Sequence, residues 1–577
     1  MLLNFLSWTI VFFMLFSFGD IMLMIYNKIC KQSEIYNPLD KLMLGLCSLV
    51  IPLSIWSLWL PSNDLFLSIA LFTSMAYWTI FHKRAYRILK EIRSSIKDRF
   101  LPFESILIVL FILFSLYFFS WQQDVYDSAF YHYQNIRWNE EYAVVPGVAN
   151  LDDRFGFNSN YFLLSAIFTF RFVLSEAIYP LQQLIVTGIG CWVLCELFVS
   201  KYDVKRIFIL ISYVLLFWVS IYFLGNTSTD ILPNFIIFYI IARIVLYPDA
   251  LKTRYILLFI LPVFLVTCKM SIFPIGLTSF YLLYYLIKQR KYKVVIFLCT
   301  LSLVILIPWL IRNVIISGYL VYPLYQIDLF SFDWKVPREI AIKEKDYIGG
   351  IGYYFFRIAL RYPHMSERDP LPINILTDII YLLVVISLFF TLYYLWKRPR
   401  KVEVHLCLIY LISVSTIIIW AVGGPDIRFI VGVLCAVIFV GGILYFYEKK
   451  KYLPFVGKSL SFLFVLSLAL WTTMRYCNFY QQTDILKVEL TSHLLMKPYS
   501  VRDQQKANGI DVLKSFEIYQ INNNQNIWVS PGLPYDMELP ASIASHYAKF
   551  LPLECIEARG NSIQDGYRVK DRCVTNK

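Results

Sequence analysis

The chain has 577 residues, 58% apolar and only 16% charged, with a mean hydropathy of +0.59. Soluble globular domains sit closer to half apolar and a quarter charged, so this composition excludes them in favour of the membrane class. The net charge of +13 does not indicate nucleic acid. The lysines and arginines gather in short segments between apolar runs, with no basic groove of interleaved aromatics.

Apolar runs long enough to cross a bilayer as helices, about 20 residues each, occur near 3–25, 42–60, 64–81, 102–121, 179–199, 207–224, 231–247, 254–268, 270–287, 293–312, 373–396, 403–423, 428–446 and 454–473. The expectation is an all-α polytopic membrane protein of about fourteen spans. The run 159–176 is interrupted by Arg171 and Glu176 and reads as an interfacial or re-entrant helix. Basic clusters then set the orientation. Lys83, Arg84, Arg87, Lys90, Arg93, Lys97 and Arg99 fill one loop, and Lys201, Lys205 and Arg206 a second. Lys288, Arg290, Lys291 and Lys293 fill a third, Lys397, Arg398, Arg400 and Lys401 a fourth, and Lys449, Lys450 and Lys451 a fifth. Placing all five in the cytoplasm puts the N-terminus and the C-terminal tail outside a cell (inner) membrane. The absence of a basic segment before the first run argues against a cleaved signal peptide.

The chain divides into 1–100, additional spans and a basic cytoplasmic loop; 101–473, a core with outer loops 122–158 and 313–372; and 474–577, a small external tail. Turn residues Pro531, Gly532, Leu539 and Pro540 mark that tail as ordered, fitting a small cap over a site. Most cysteines lie in apolar runs as small hydrophobes. Cys555 and Cys573 form a possible bridge if the tail faces an oxidising compartment.

The first outer loop carries the acids Asp124 and Asp127. On a helix, Asp127, Tyr131, Gln134 and Trp138 would share one face, aiming a carboxylate at a substrate arriving at the interface. Acids in an outward loop are otherwise simple solvation. A second set of charges stands at the outer ends of other spans: Asp230, Lys269, Arg312 beside Asn313, and the pair Asp426 and Arg428. Charge at a membrane boundary is costly unless it snorkels, pairs or lines a cavity. Lys269 is the most telling, because it lies on the side that positive charge avoids. Together these residues fit carboxylates that activate a nucleophile or hold a metal, with cations that clamp an anion such as a lipid-linked phosphate.

Asp127-x-x-x-Tyr131 after a span, Asp230 at the second outer loop, Lys269 and the Arg428 turn resemble the GT-C glycosyltransferases, integral membrane enzymes with polyprenyl-phosphate-linked sugar donors. Val-Pro-Gly-Val-Ala-Asn-Leu-x-x-Arg-Phe-Gly-Phe-Asn-Ser (145–159) and Pro-Trp-x-x-Arg-Asn-x-x-x-Ser-Gly-Tyr-Leu-x-Tyr-Pro (308–323) resemble more specifically a bacterial branch of that superfamily with no assigned reaction. The resemblance spans roughly 100–577 and implies a GT-C-like bundle with external interfacial helices. It also implies inverting transfer of a hexose or pentose to an envelope glycan, lipid or protein acceptor. Asp127 would be the base, with Asp124 as alternative, and Asp230 would orient the acceptor or share a divalent cation (Mg or Mn) with Asp127. Lys269 and Arg312 would hold the phosphate, with Tyr131, Arg154, Asn313, Asp426 and Arg428 as further binding residues. His132 reads first as a surface histidine among aromatics, and otherwise as a base or ligand. One departure bears on the base: relatives pair acids in the first loop, whereas Ser128 follows Asp127 here, and the nearest pairs are Glu140-Glu141 and Asp152-Asp153. A lipid-linked oligosaccharide transporter or flippase, or a polysaccharide polymerase or ligase, is the alternative.

Overall fold

A computed structural model describes residues 1–34, 36–361, 371–397, 403–444, 446, 451–482, 498, 500–503, 516–544 and 549–573. Arg398, Arg400, Lys401, Lys449 and Lys450 of the basic clusters lie outside them.

The apolar runs fold as helices with local start signals. Asn37 and Asp40 form a reciprocal capping box, Asp40 N–H donating to Asn37 Oδ1 at 2.7 Å, and Pro38 opens the helix Pro38–Trp56. Eight helices among the described residues are long and apolar enough to cross a membrane. They are Leu2–Cys30, Pro38–Trp56, Pro180–Val199, Met270–Lys288, Tyr292–Ser317, Ile375–Lys397, Val404–Gly423 and Pro454–Cys477, with a ninth if the bent pair Asp64–Ile80 and His82–Ser94 is one span.

This count corrects the expected fourteen. Pro102–Phe118, Ile231–Leu246, Tyr255–Cys268 and Val431–Leu444 are apolar helices of 14 to 17 residues, shorter than the ~20 that cross a hydrocarbon core. The run 207–224 falls in Val204–Val219 and a separate turn, Ile221–Leu224. Ile231–Leu246 is buried at every position except its last. Its apolarity reflects surrounding protein rather than lipid, and hydropathy cannot tell the two apart. The run 159–176 breaks into Asn160–Ala166 and Arg171–Leu174 and is not a single crossing.

One hydrophobic core extends from Val11 and Leu44 in the first two helices to Val433 and Phe439 near the end of the bundle. Gly19 and Gly45 bring those two helices together: a Cβ on Gly45 would meet the Leu15 carbonyl oxygen at 2.0 Å. Trp8 Nε1 donates to Gln183 Oε1 at 3.2 Å and Asn4 Nδ2 to the Phe119 carbonyl at 2.8 Å, so the first helix is packed into the rest.

A second core unites the loops 122–158 and 313–372 with the tail, through Trp138, Phe155, Tyr319, Val336, Ile527 and Tyr567. Among its described residues the tail carries five short strands. Strands β1 (Glu517–Asn522) and β2 (Gln525–Ser530) pair antiparallel with Ile518 opposite Trp528, and β3 (Ala541–Ile543) joins β2 in parallel. Strands β4 (Ile556–Ala558) and β5 (Tyr567–Val569) form a separate antiparallel pair, flanked by a Cys555–Cys573 disulfide.

Two of the basic loops, 201–206 and 449–451, meet. Val204 N–H donates to the Lys451 carbonyl at 2.9 Å, and Lys291 Nζ reaches the Tyr255 hydroxyl at 3.1 Å.

Candidate functional site

The site forms where several helices end or break. Asn234, in the first turn of Ile231–Leu246, ties two of them together: its Nδ2 donates to the carbonyls of Asp230 (2.8 Å) and Arg428 (2.7 Å), and its Oδ1 accepts from Gly432 N–H (2.9 Å). Gly432 permits this approach, since a Cβ there would meet the Asn234 carbonyl oxygen at 2.0 Å. Asp230 and Arg428, nearly 200 residues apart, are thereby set side by side. Lys269 occupies the break between Tyr255–Cys268 and the 3₁₀ stretch Met270–Gly276. That break is held by Ser159 Oγ on the Cys268 carbonyl (2.8 Å) and Asn160 Nδ2 on Thr267 Oγ1 (2.8 Å).

Asp127 precedes a π-helical turn, Ser128–His132, which leads into the α-helix Tyr133–Glu141. The wider turn changes the expected face. Asp127 and Tyr131 line the cavity. Gln134 instead donates to the tail carbonyls of Tyr535 (2.9 Å) and Met537 (3.2 Å), and Trp138 packs against Phe155 and Tyr567. The segment rests on the loop after Leu224. Ser128 Oγ donates to the Thr227 carbonyl at 2.6 Å and the Tyr133 hydroxyl to Asn226 Oδ1 at 2.7 Å.

These elements enclose a cavity of about 460 Å³, within the range of small-molecule sites. Three carboxylates, Asp127, Asp230 and Asp426, and three cations, Arg154, Lys269 and Arg428, line it. Its other walls are mostly apolar, with Phe273, Trp309 and Ile419 contributed by three of the candidate spans. The charges are paired. Arg428 donates through Nη1 to Asp127 Oδ2 and through Nε to Asp426 Oδ2, both at 2.8 Å. Lys269 pairs with Asp230 and lies 3.9 Å from the Phe429 ring centroid. Arg154 Nε is 3.1 Å from Glu344 Oε1, and its guanidinium lies among the rings of Tyr131, Phe157 and Tyr347. The set is balanced, so an incoming ion must exchange partners with one already present.

Burial alone would raise the Asp127 carboxyl, but Arg428, with His132 and Arg154, outweighs it and holds the group down at about 2. Burial pushes Glu344 up to about 7 against the pull of Arg154. It also lowers His132 to about 4, against the attraction of Asp127. That histidine is neutral near pH 7 and 2% exposed, which corrects its expected place at the surface. Its Nδ1 lies 2.9 Å from the Thr227 carbonyl, and its ring packs against Tyr131 and Phe162.

Of the residues expected at the site, Asp127, Tyr131, Arg154, Asp230, Lys269, Asn313, Asp426 and Arg428 all line this one cavity. Arg312 does not. It is buried and donates to Ser57 Oγ (2.7 Å), to Asn158 Oδ1 (3.4 Å) and to Asn139 Oδ1, joining outer-loop segments. Asp124 is also outside the lining, 3.4 Å from the Tyr535 hydroxyl. The paired acids are structural. Glu140 holds Arg171 and Thr169, Glu141 holds Arg137, Asp152 caps Arg154 N–H and Asp153 accepts Phe550 N–H at 2.7 Å. Among the described residues the tail does not line the cavity; it braces the loop 122–158, Arg137 Nη1 donating to the Asp536 carbonyl at 2.9 Å, and the neighbouring Arg171 is bidentate on Asp536. Sequence reading missed Asn234, whose polarity within an apolar run was a usable signal. It also missed Glu344, one charge among several on the amphipathic helix Arg338–Arg361.

Asp127 and Asp230, the pair expected to share a divalent cation, line the same cavity. Each carboxylate already faces its own positive side chain, and among the described residues no three Asp, Glu, His or Cys side chains come together as a metal-holding group.

The class these features define is a helical protein with several helices able to cross a membrane and a charged cavity at one end of them. The chain belongs to the family described as Domain of unknown function (DUF8201), whose family model matches residues 1–435. That match takes in the first two helices together with nearly all the cavity-forming elements. No curated protein and no solved structure matches the chain.

Proposed function

We propose that the protein is a membrane glycosyltransferase. It moves a sugar from a polyprenyl-phosphate-linked donor to a glycan, lipid or protein acceptor of the cell envelope, on the non-cytoplasmic face and with inversion. The observation that carries this reading is the meeting of Asp127, Asp230, Lys269 and Arg428 in one cavity whose remaining walls are largely apolar. A charged end suits a phosphate and sugar, and apolar walls continuous with spanning helices suit a lipid chain.

In this reading Arg428, Lys269 and Arg154 receive the donor phosphate, Arg428 taking the role expected of Arg312. A carboxylate held near 2 is a weak base, and general-base catalysis improves as the base approaches working pH. Donor phosphate drawing Arg428 away restores basicity to Asp127. The acceptor hydroxyl then gives its proton to Asp127 as its oxygen bonds to the anomeric carbon from the far side. The bond from that carbon to the phosphate oxygen breaks, and its electron pair leaves on the phosphate beside the cations. One well-placed donor to such developing charge is worth roughly 3–4 kcal/mol in comparable sites. Asp230 orients the acceptor.

The test is transfer from a panel of polyprenyl-phosphate sugars by purified protein, wild type against Asp127→Asn. Transfer that disappears in the variant supports the assignment. Undiminished transfer in the variant discards Asp127 as base, and no transfer from any donor by wild type favours lipid-linked oligosaccharide transport.

A further inference from the structure

The bent pair holds a feature that the cavity does not use. After Asp64–Ile80 the chain turns by 87° into the helix beginning at His82. Asp64–Ile80 packs against the candidate span Leu2–Cys30, with the Tyr77 hydroxyl on Asp20 (2.6 Å) and Trp78 Nε1 on Ser17 Oγ (2.7 Å), so a helix perpendicular to it is directed across the spans and along the membrane plane. The elbow is pinned: Arg84 donates to Asp20 through Nε (2.6 Å) and Nη2 (2.9 Å), and Asp20, fully buried, also receives Tyr77 (2.6 Å) and Lys41 (2.8 Å).

The pinned helix is two-faced. At the α-helical period, Ala85, Ile88, Leu89 and Ile92 fall within an arc of about 100°. Lys83, Arg87 and Lys90 occupy the opposite side and Arg93 flanks the arc beside Leu89, with Glu91 the one acid from His82 to Ser94. Of that arc Leu89 is 65% exposed while Ala85, Ile88 and Ile92 are half-buried, so the bundle leaves the Leu89 edge of the apolar face uncovered; Tyr86, 71% exposed, stands among the basic residues. Apolar side chains on one face, basic ones on the other and an in-plane direction are the features by which a helix seats in the headgroup layer of a bilayer. Anionic headgroups are the matching charge, since juxtamembrane Lys and Arg clusters are drawn to negatively charged lipid surfaces.

We propose that the helix starting at His82 lies in the membrane interface and binds anionic phospholipid, with Leu89 and its neighbours in the acyl boundary and Lys83, Arg87, Lys90 and Arg93 among the headgroups. It is an anchor at the end of the helices remote from the cavity, and it does not depend on the glycosyltransferase reading.

The experiment uses full-length protein in nanodiscs of phosphatidylcholine with or without phosphatidylglycerol. An environment-sensitive fluorescent amino acid is placed at position 89 or 87. Brominated lipid is expected to quench the probe at 89 severalfold more than at 87, and iodide in water the reverse, with the contrast greater when phosphatidylglycerol is present. Replacing Lys83, Arg87, Lys90 and Arg93 by Gln, with Arg84 kept to hold the elbow, is expected to lower the enrichment of phosphatidylglycerol around the protein at least about tenfold. Equal iodide access at 89 and 87 would overturn the proposal, because the apolar face would then be open to water or reserved for a protein partner. A depth contrast and lipid enrichment indifferent to phosphatidylglycerol would overturn the anionic specificity.

Discussion

Arg428 donates a hydrogen bond of 2.8 Å to Asp127, a residue 301 positions earlier in the chain. The same guanidinium grips Asp426 two residues before it, also at 2.8 Å. One cation is thus shared between a local carboxylate that fixes its rotamer and a distant one that faces the cavity. The two side chains of the Arg428–Asp127 pair keep 23% and 27% of their surface exposed, so removing one member strands the other charge at less than the about 3–5 kcal/mol of a fully buried pair. The pair is therefore both a structural clasp and the contact that an incoming anion must open.

Asp127→Asn is expected to reduce sugar transfer at least ~10²-fold, the lower bound for losing a positioned general base. Asp124→Asn should leave transfer within a few-fold of wild type, because Asp124 does not line the cavity. Single-turnover transfer by the purified proteins separates the two, and equal losses would remove the distinction drawn between these acids.

Arg428→Gln and Arg312→Gln should fail differently. The first takes a cation from the cavity and raises the donor KM. The second leaves Ser57, Asn139 and Asn158 without their buried donor. It costs about 3 kcal/mol of stability, read as a lower Tm in detergent, with the donor KM of the folded fraction unchanged.

Glu344 confers a pH dependence with a definite sign. Burial lifts its carboxyl from the ordinary 4.5 to about 7 in the native protein. Between those values the folded state holds a proton that the unfolded state has released, so this group makes stability fall as pH rises from about 4.5 to about 7. Its contribution is fully present below that window and lost above it. Tm measured across the range should decline less steeply in Glu344→Gln than in wild type. A parallel decline in both proteins would remove Glu344 as the source.

The bridge between Cys555 and Cys573 reports on sidedness. If the tail faces outward, a membrane-impermeant reductant followed by an impermeant maleimide should label both cysteines in intact cells. Protection until the cells are lysed would reverse the orientation proposed for the cavity. Loss of the cross-link should also loosen the tail, by about 3 kcal/mol for a loop of this length, seen as faster proteolysis around β4 and β5.

Much of this protein was legible without coordinates. Helices that can cross a membrane follow from unbroken apolar runs, because a chain in lipid must satisfy its own backbone hydrogen bonds. The charges worth attention announced themselves by interrupting those runs at one end of the helices, and Asp127, Asp230, Lys269 and Arg428 do meet there. Tertiary structure decided the rest. Apolarity records removal from water, whether by lipid or by protein, so only packing distinguishes the enclosed Ile231–Leu246 from a lipid-facing span. Arg312 and Arg428 look alike in sequence, each at a helix end. One is spent on Ser57 and outer-loop asparagines while the other enters the cavity, because partners are chosen by contacts between stretches hundreds of residues apart.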